Sequence, residues 1–173
     1  MPTTRLIRTE DAEELATLLR ENRDFLATYE PSRDDAWFTA AGQRADVAAA
    51  LRVHEQGGNL PHVIVDDEGR ISGRITLSGI VRGALQSCAV GYWVAEAAGG
   101  RGAATAAVAR MTTLAFDDLG LHRVQAETLP DNVRSQRVLA RNGFVRYGLA
   151  PQYLKIAGRW QDFEMYQLLS SHA

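Results

Sequence analysis

The chain has 173 residues, of which 46% are hydrophobic and 23% charged, with a formal net charge of −2. This length and composition predict one folded domain over residues 1–173. The nearly neutral charge supplies no global attraction for nucleic acids or acidic membranes, so we expect neither as a partner, and any anion site must arise locally.

The N-terminal residues Met-Pro-Thr-Thr-Arg contain no apolar signal region, and the chain has no uninterrupted run of about 18 apolar residues. We therefore expect a cytoplasmic protein. The single cysteine, Cys88, excludes a disulfide framework. It alternates with Val90 and Tyr92 on a predicted strand, which favours a small buried residue over an acyl-carrying thiol. The four histidines lack metal-ligand spacing, so no metal site is expected.

Strand and helix patterns alternate along the first half of the chain. Thr9 or Asp11 is predicted to cap the first helix, and Pro31 interrupts an aromatic segment at 25–37. The turn composition at 66–69 joins two alternating strands in a hairpin. The predicted elements are a strand at 4–7, a helix from about Asp11, a helix at 43–56, and strands at 60–65, 71–80 and 86–95.

Glycines delimit the elements of the second half. The predicted elements are a helix from about 103 to Gly120 with its apolar stripe at Ala104, Val108, Met111 and Ala115, a strand at 122–128, a helix capped by Asp131 or Asn132 and ended by Gly143, and strands at 144–149 and 162–169. A meander of strands followed by alternating strands and helices is an α+β order.

The most informative segment is the glycine-rich loop at 94–105, where a predicted strand enters an alanine-rich helix. Glycines remove the Cβ atoms that keep a ligand off the backbone, and a helix N-terminus offers unpaired N–H groups. The loop therefore predicts a phosphate or pyrophosphate site. Neither a Walker loop nor a dinucleotide fingerprint fits, because no Gly-Lys pair occurs, and Gly100 and Gly102 are followed in mid-chain by Thr105.

A second motif follows at 131–144, and the two together resemble the motifs of the GCN5-related N-acetyltransferases (GNAT). The acetyl-CoA loop of that family reads Gln/Arg-x-x-Gly-x-Gly/Ala, and this chain matches it except at Gly99. The second family motif, Asn-x-x-Ala/Ser and then Gly-Phe, is matched by Asn132, Ser135 and the pair at 143–144. The residues at 91–93 and the tail at 153–162 look like the RimJ/RimL branch, which acetylates protein N-termini and small amines.

The resemblance implies the α+β GNAT fold, a mixed and mostly antiparallel central sheet of about six to seven strands, splayed at the acetyl-CoA site and flanked by about four helices. It implies acetyl-CoA as the cofactor, CoA as the product, and direct transfer of the acetyl group to a primary amine. Homodimers are common in such families, so a homodimer is an expectation of the resemblance alone. The implied cofactor-binding residues are Val94, whose backbone pairs with the pantetheine arm, and Gly99, Gly100, Arg101, Gly102, Ala103, Ala104, Thr105, Asn132 and Ser135.

Acyl transfer requires a neutral amine, donors for the oxyanion and a proton for the departing thiolate. Ser135 lies one helical turn after Asn132, directed toward the same cleft. In the RimL-like enzymes the matching serine is proposed to protonate the thiolate, whereas many other members use a tyrosine where this chain has Leu139. Ser135 is therefore the predicted catalytic acid, with cofactor binding or helix packing as its alternative role. An N-cap would equally explain Asn132.

The general base is the weak part of the match, because the glutamate of the RimL-like enzymes aligns with Gln152, and an amide cannot take a proton. An α-amine with a pKa near 8 needs only about 1 kcal/mol to become neutral, whereas a lysine at about 10.4 needs roughly 4 kcal/mol. The glutamine therefore favours an N-terminal or other weakly basic amine. The other available carboxylates are Glu30, Glu127, Asp162 and Glu164, each more typical of a surface or strand-end charge.

The amine substrate is predicted to bind between the segments 25–37 and 152–162, with Tyr29, Tyr153 and Asp162 as substrate-binding residues. Ordinary packing explains the aromatic residues equally well. The preferred substrate is a protein or peptide N-terminus, such as that of a ribosomal protein. Two alternatives stay open: acetylation of a small-molecule amine such as an antibiotic, polyamine or amino-acid derivative, and a non-catalytic acyl-CoA-binding module, which the departures at Gly99 and Gln152 would suit.

Overall fold

A seven-stranded sheet forms the centre of the structure, a computed structural model that describes residues 3–171. The strands are β1 (Thr3–Leu6), β2 (Leu60–Val65), β3 (Ile71–Val81), β4 (Ser87–Val94), β5 (Arg123–Thr128), β6 (Val145–Ile156) and β7 (Arg159–Leu169). Their spatial order is β1-β2-β3-β4-β5-β7-β6. Only β4 and β5 pair in parallel within the described residues, so the expected mixed, mostly antiparallel sheet is confirmed.

Helices cover both faces of this sheet. They are α1 (Ala12–Glu21), α2 (Arg23–Ala27), α3 (Ala40–Glu55), α4 (Ala103–Thr113) and α5 (Val133–Arg141). The short α2, in the aromatic segment, is the addition to the expected four. The described helical elements also include three 3₁₀ turns, at Thr9–Asp11, Asp35–Phe38 and Glu96–Ala98, and a π turn at Leu114–Asp118. None of these helices has the length and hydropathy that crossing a bilayer requires.

The two faces of the sheet carry separate apolar clusters. Helices α4 and α5 pack on one face, where Met111 and Leu139 are fully buried against Ile75 of β3. Helices α1 and α3 pack on the other face through Leu15 and Val47. A third cluster lies at the β5–β7–β6 end of the sheet and consists of Leu129, Ile156 and Phe163, with Tyr29 and Met165 packed against it.

Strand β4 diverges from β5 soon after the two begin to pair. Their parallel register covers Ser87–Ala89 of β4 and Arg123–Gln125 of β5, whereas β4 pairs with β3 as far as Val94. The edge of β4 that faces β5 is therefore open beyond Ala89. This gap is the splay that the resemblance implied, and it positions the candidate site.

The closing strands are longer than the predicted 144–149 and 162–169. Strands β6 and β7 form one hairpin whose two-residue turn, Ala157 and Gly158, has positive φ at both positions, as a tight hairpin turn requires. Pairing is interrupted between Ala150 and Leu154, where Pro151 has no N–H to donate. This interruption is what made the segment look unlike a strand in the sequence.

Three details of the predicted helices differ in the structure. Asp11 does not cap the first turn of α1; its carboxylate instead accepts from the Arg8 N–H at 2.8 Å and binds the Arg5 guanidinium. The buried stripe of α4 begins at Ala103, and Ala104 is only half-buried. The side chain of Thr39 caps α3, so that helix begins three residues before the predicted start.

Candidate active site

The glycine-rich loop runs from the end of β4 to the start of α4. Gly100 and Gly102 have φ of +73° and +84°, and a Cβ atom added at either would meet no heavy atom within 4 Å. Backbone conformation, and not crowding, therefore requires glycine at both positions. The open space above them leaves the loop backbone accessible to a ligand.

Helix α4 presents unpaired donors to this space. Gly102 is the N-cap and offers no side chain, and the first bond inside the helix runs from the Ala106 N–H to the Gly102 carbonyl at 2.9 Å. The N–H groups of Ala103, Ala104 and Thr105 have no acceptor within the helix. Three donors at the positive end of an eleven-residue helix fit the pyrophosphate of a CoA molecule.

Gly99 departs from the family motif and sits in a tight turn. Its N–H donates to the Glu96 carbonyl at 3.0 Å, and a Cβ atom at this position would lie 3.0 Å from the same oxygen. A glutamine or arginine here would require the turn to relax. The exposed Arg101 follows in the loop and is free to move toward a bound anion. The assignment of Gly99 and Arg101 as cofactor-binding residues stays a prediction.

A cavity of about 850 Å³ lies on the α1 side of the loop, with Arg101 and Ala103 in its lining. Its walls carry Glu10, Glu13, Glu14, Glu21 and Asp66. These five acidic side chains outnumber the two arginines of the lining, Arg70 and Arg101, so this cavity does not suit the anion. The α4 N-terminus and the gap between β4 and β5 remain the surfaces that fit a CoA molecule.

Val94 lies at the end of β4 and pairs with Gly73 of β3 on one side only. On the other side β5 has already diverged, so the backbone of the strand is available to an extended ligand arm. Gly73 permits this geometry, because a Cβ atom there would lie 2.2 Å from the Trp93 carbonyl oxygen. Binding of the pantetheine arm at Val94 stays a prediction.

Asn132 and Ser135 lie at the start of α5, facing the gap. The Asn132 Oδ1 accepts from the Ser135 N–H at 3.1 Å, which confirms the predicted N-cap. The Ser135 Oγ lies 2.9 Å from the Tyr92 Oη of β4. Burial raises the pKa of the Tyr92 hydroxyl to about 12, although its hydrogen bond to Ser135 opposes the shift. Tyr92 therefore stays protonated and able to donate.

Tyr92 is the site residue that sequence reasoning missed. It was noted as part of the 91–93 match and as a residue alternating with Cys88, and neither observation pointed to Ser135. Cys88 itself is buried, and burial raises the pKa of its thiol to about 12, in agreement with the predicted structural role. Leu139 is fully buried in the core and supplies no donor.

The predicted substrate residues Tyr29 and Tyr153 meet at the third apolar cluster. The rings of Tyr153 and Phe163 have centroids 5.6 Å apart, and Tyr29 packs against the cluster that contains Phe163. Asp162 lies across the β6–β7 hairpin, where its Oδ1 accepts from the Gln152 N–H at 2.8 Å. Substrate binding by these three residues stays a prediction, and Asp162 also has a visible role in holding the hairpin.

The four available carboxylates have different surroundings. Glu164 forms an ion pair with Arg146, and Asp162 is bonded to the hairpin backbone. Burial raises the pKa of Glu30 and of Glu127 above the ordinary value, with Arg33 and Arg74 opposing the shift at Glu30. Gln152 is exposed and has a φ of +48°. Its amide side chain stands on the β6–β7 hairpin, at the position that aligns with the RimL-like glutamate.

Comparisons with known proteins agree with this geometry. The model of the acetyltransferase (GNAT) domain matches residues 3–145. The ribosomal protein uS5 alanine N-acetyltransferase of Escherichia coli is 36% identical over 163 residues, which cover 91% of this chain and 82% of the relative.

Two solved structures superpose on nearly the whole chain. The ribosomal-protein-S5-alanine acetyltransferase from Vibrio fischeri has a TM-score of 0.94 at 32% identity, covering 99% of this chain and 94% of its own. RimJ of Mycobacterium smegmatis, in complex with CoA-disulfide, has a TM-score of 0.94 at 30% identity, covering 98% and 82%. The chain belongs to the GNAT family, in its RimJ/RimL-like branch, and is an acetyl-CoA-dependent N-acetyltransferase.

Proposed function

We propose that this enzyme acetylates the α-amine of a protein or peptide N-terminus. The observation that carries the proposal is the amide of Gln152 on the β6–β7 hairpin, in place of a strong base. An α-amine is already partly neutral near pH 7, whereas making a lysine side chain neutral at that pH costs roughly 4 kcal/mol. A site with Gln152 in place of the RimL-like glutamate therefore suits the α-amine, which is the weaker base of the two amines.

The names of the relatives support the same class of substrate. Two of the relatives described above are named for acetylating an alanine of ribosomal protein S5. A protein N-terminus is an extended chain whose amine projects from its end, and the exposed side chain of Tyr153 offers it a flat apolar surface. A ribosomal-protein N-terminus is therefore our proposed partner.

Each part of the site then has a task. The N–H groups at the start of α4 hold the pyrophosphate, and the open edge of β4 at Val94 aligns the pantetheine arm. Bound acetyl-CoA supplies the activated acetyl group. Ser135, bonded to Tyr92, is placed to donate a proton to the departing sulfur.

The test is CoA release from acetyl-CoA with a panel of amines. Short peptides with free N-terminal Ala, Ser or Met are compared with the same peptides blocked at the α-amine and carrying an internal lysine, and with polyamines and aminoglycosides. We expect turnover only with the free α-amines. Faster turnover on the blocked lysine peptides or on a small-molecule amine would contradict the proposal and favour that substrate class.

A further inference from the structure

Glu127 lies at the open end of the gap between β4 and β5. It is two residues beyond Gln125, the last residue of β5 that pairs with β4, whose partner there is Ala89. If the parallel register continued, Glu127 would stand opposite Gly91. A Cβ atom at Gly91 would meet no heavy atom within 4 Å, so the space that a side chain would fill is vacant.

The carboxylate is on the opposite face of the sheet from Ser135. Val124 and Ala126 of the same strand are buried in the cluster beneath α4 and α5, and Glu127, the next residue, points to the opposite face. Glu127 pairs in register with Met165, which packs on the other face against the third apolar cluster. A thioester threading the gap would therefore have Glu127 on one side and Ser135 on the other.

The surroundings of Glu127 are apolar and aromatic. It is partly buried, and among the described residues its carboxylate forms no salt bridge. Burial raises the pKa of the Tyr153 hydroxyl, and the nearby charge of Glu127 adds to the shift, so Glu127 lies near that predicted substrate residue. Burial raises the pKa of Glu127 itself, so a proton is held more tightly there than by an exposed carboxylate.

We infer that Glu127 is the general base of this enzyme and takes the proton from the substrate α-amine at the gap between β4 and β5. The inference rests on the proposed function. The substrate ammonium gives one proton to the Glu127 carboxylate, and the neutral nitrogen forms a bond to the thioester carbon. The carbon–sulfur bond breaks with its electron pair on sulfur, which takes the Ser135 proton. The nitrogen, positively charged after the attack, loses its second proton to solvent, and Ser135 regains a proton from solvent. Glu127 then releases its own proton to solvent.

Two other carboxylates serve as matched comparisons. Burial raises the pKa of Glu30, which follows α2, as it does that of Glu127, but the charges of Arg33 and Arg74 oppose the shift at Glu30 and favour its carboxylate form. Glu164 of β7 pairs with Thr128, the residue after Glu127. It therefore lies on the other face of the sheet from Glu127, and it forms an ion pair with Arg146. Neither combines a carboxylate without an arginine neighbour with a position at the gap.

The experiment compares Glu127→Gln, Glu30→Gln and Glu164→Gln with the native enzyme, using a free α-amine peptide that the native enzyme acetylates. We expect kcat/KM at neutral pH to fall about a hundredfold or more in Glu127→Gln only, with the Kd for acetyl-CoA unchanged. Glu127→Asp keeps a carboxylate but on a shorter side chain, so its kcat/KM should fall less than that of Glu127→Gln. Gly91→Ala should raise the KM for the peptide, because its methyl group enters the vacant space.

The pH profile separates a base from a merely structural residue. Among the described residues, the titratable groups on this side of the gap include Tyr147 and Tyr153 from β6, Tyr29 and Glu30 after α2, Arg74 from β3 with its partner Asp46 from α3, and Arg123 along β5. Of these, only the carboxylates lose charge on mild acidification. We expect the acid limb of the kcat/KM profile of the native enzyme to be lost in Glu127→Gln. The remaining increase of kcat/KM with pH should then follow the pKa of the free peptide amine.

Retention of more than about a third of the activity by a folded Glu127→Gln, with an unchanged pH profile, would overturn the inference. So would loss of the acid limb in Glu30→Gln alone. If Glu127→Gln fails to fold, Glu127→Asp and Gly91→Ala carry the same test, and native behaviour in both would overturn it. Failure of the native enzyme on every α-amine would instead overturn the proposed function, so the two failures are distinguishable.

Discussion

At the scale of single residues, the hydrogen bond between Ser135 and Tyr92 gives the serine a defined place. Their oxygens are 2.9 Å apart, and either hydroxyl can donate. Because burial raises the pKa of Tyr92 to about 12, its hydroxyl keeps its proton and can donate to the Ser135 oxygen. The serine proton is then available to the departing sulfur, and the tyrosine stabilises the oxygen left behind.

Replacing Ser135 with alanine should therefore reduce kcat by about ten- to a thousandfold, with little change in the Kd for acetyl-CoA. Tyr92→Phe removes only the supporting bond, so its loss should be smaller than that of Ser135→Ala. Steady-state kinetics and acetyl-CoA titration measure both quantities. A loss of affinity equal to the loss of rate in Ser135→Ala would identify a binding residue instead.

Sequence patterns identified some of these residues and missed others for a physical reason. Asn132 and Ser135 are three positions apart, so a local rule of helix capping relates them, and the structure shows that bond. Tyr92 and Ser135 are far apart in the chain and meet only through the packing of α5 on β4. Glu127 was one of four equivalent carboxylates in the sequence, because burial depends on the whole sheet.

At the scale of elements, the loop before α4 depends on two glycines with positive φ. An L-residue in that conformation costs roughly 1–2 kcal/mol, and relief of the strain would turn the loop donors away from the anion. Gly102→Ala should therefore lower the stability by about 1 kcal/mol and also raise the Kd for acetyl-CoA. Urea unfolding and calorimetric titration measure the two effects.

Gly57→Ala is the matched control for this change. Gly57 follows α3, has a φ of +75°, and likewise has no heavy atom within 4 Å of an added Cβ. It should cost similar stability while the Kd for acetyl-CoA stays native. An unchanged Kd in Gly102→Ala, or an equal rise of Kd in both variants, would contradict an anion-binding loop.

Local patterns also determined most element boundaries. The alternation at 71–77 predicted β3, and the buried and half-buried residues follow it. The β6–β7 hairpin was shortened in the prediction because Pro151 and the glycine at 158 are typical of loops. In the structure they occupy an interruption of pairing and a two-residue turn, which the strands on either side tolerate.

At the scale of the whole molecule, the splay is the feature that no local pattern could predict. It requires β4 and β5 to lie side by side in parallel, although α4 and its π turn separate them in the chain. The two strands pair only as far as Ala89, and helices pack on both faces of the sheet. The family resemblance, and not periodicity, supplied this part of the expectation.

Whole-molecule stability should depend on pH through His62 of β2. It is 8% exposed, its Nδ1 lies 3.1 Å from the Thr4 Oγ1, and burial lowers its pKa to about 4, with the charges of His54 and Arg110 adding to the shift. The folded state therefore disfavours the protonated ring. The stability that the neutral ring provides is present above the ordinary pKa of 6.5 and is lost as pH falls toward 4.

This loss should amount to about 3 kcal/mol at most for one proton. Urea unfolding at several pH values between 7 and 4 measures it, and His62→Gln, which cannot be protonated, should flatten the dependence in that range. The same slope in the native enzyme and in His62→Gln would show that other groups cause the acid sensitivity.

The most direct test of the account offers the enzyme one peptide with two amines, a free N-terminal alanine and an internal lysine, together with acetyl-CoA. Tandem mass spectrometry of the product locates the acetyl group. We predict acetylation of the α-nitrogen, with the lysine untouched, because Gln152 stands where the glutamate was expected and an amine with a pKa near 8 needs little help to become neutral. Acetylation of the lysine nitrogen in preference would contradict the account.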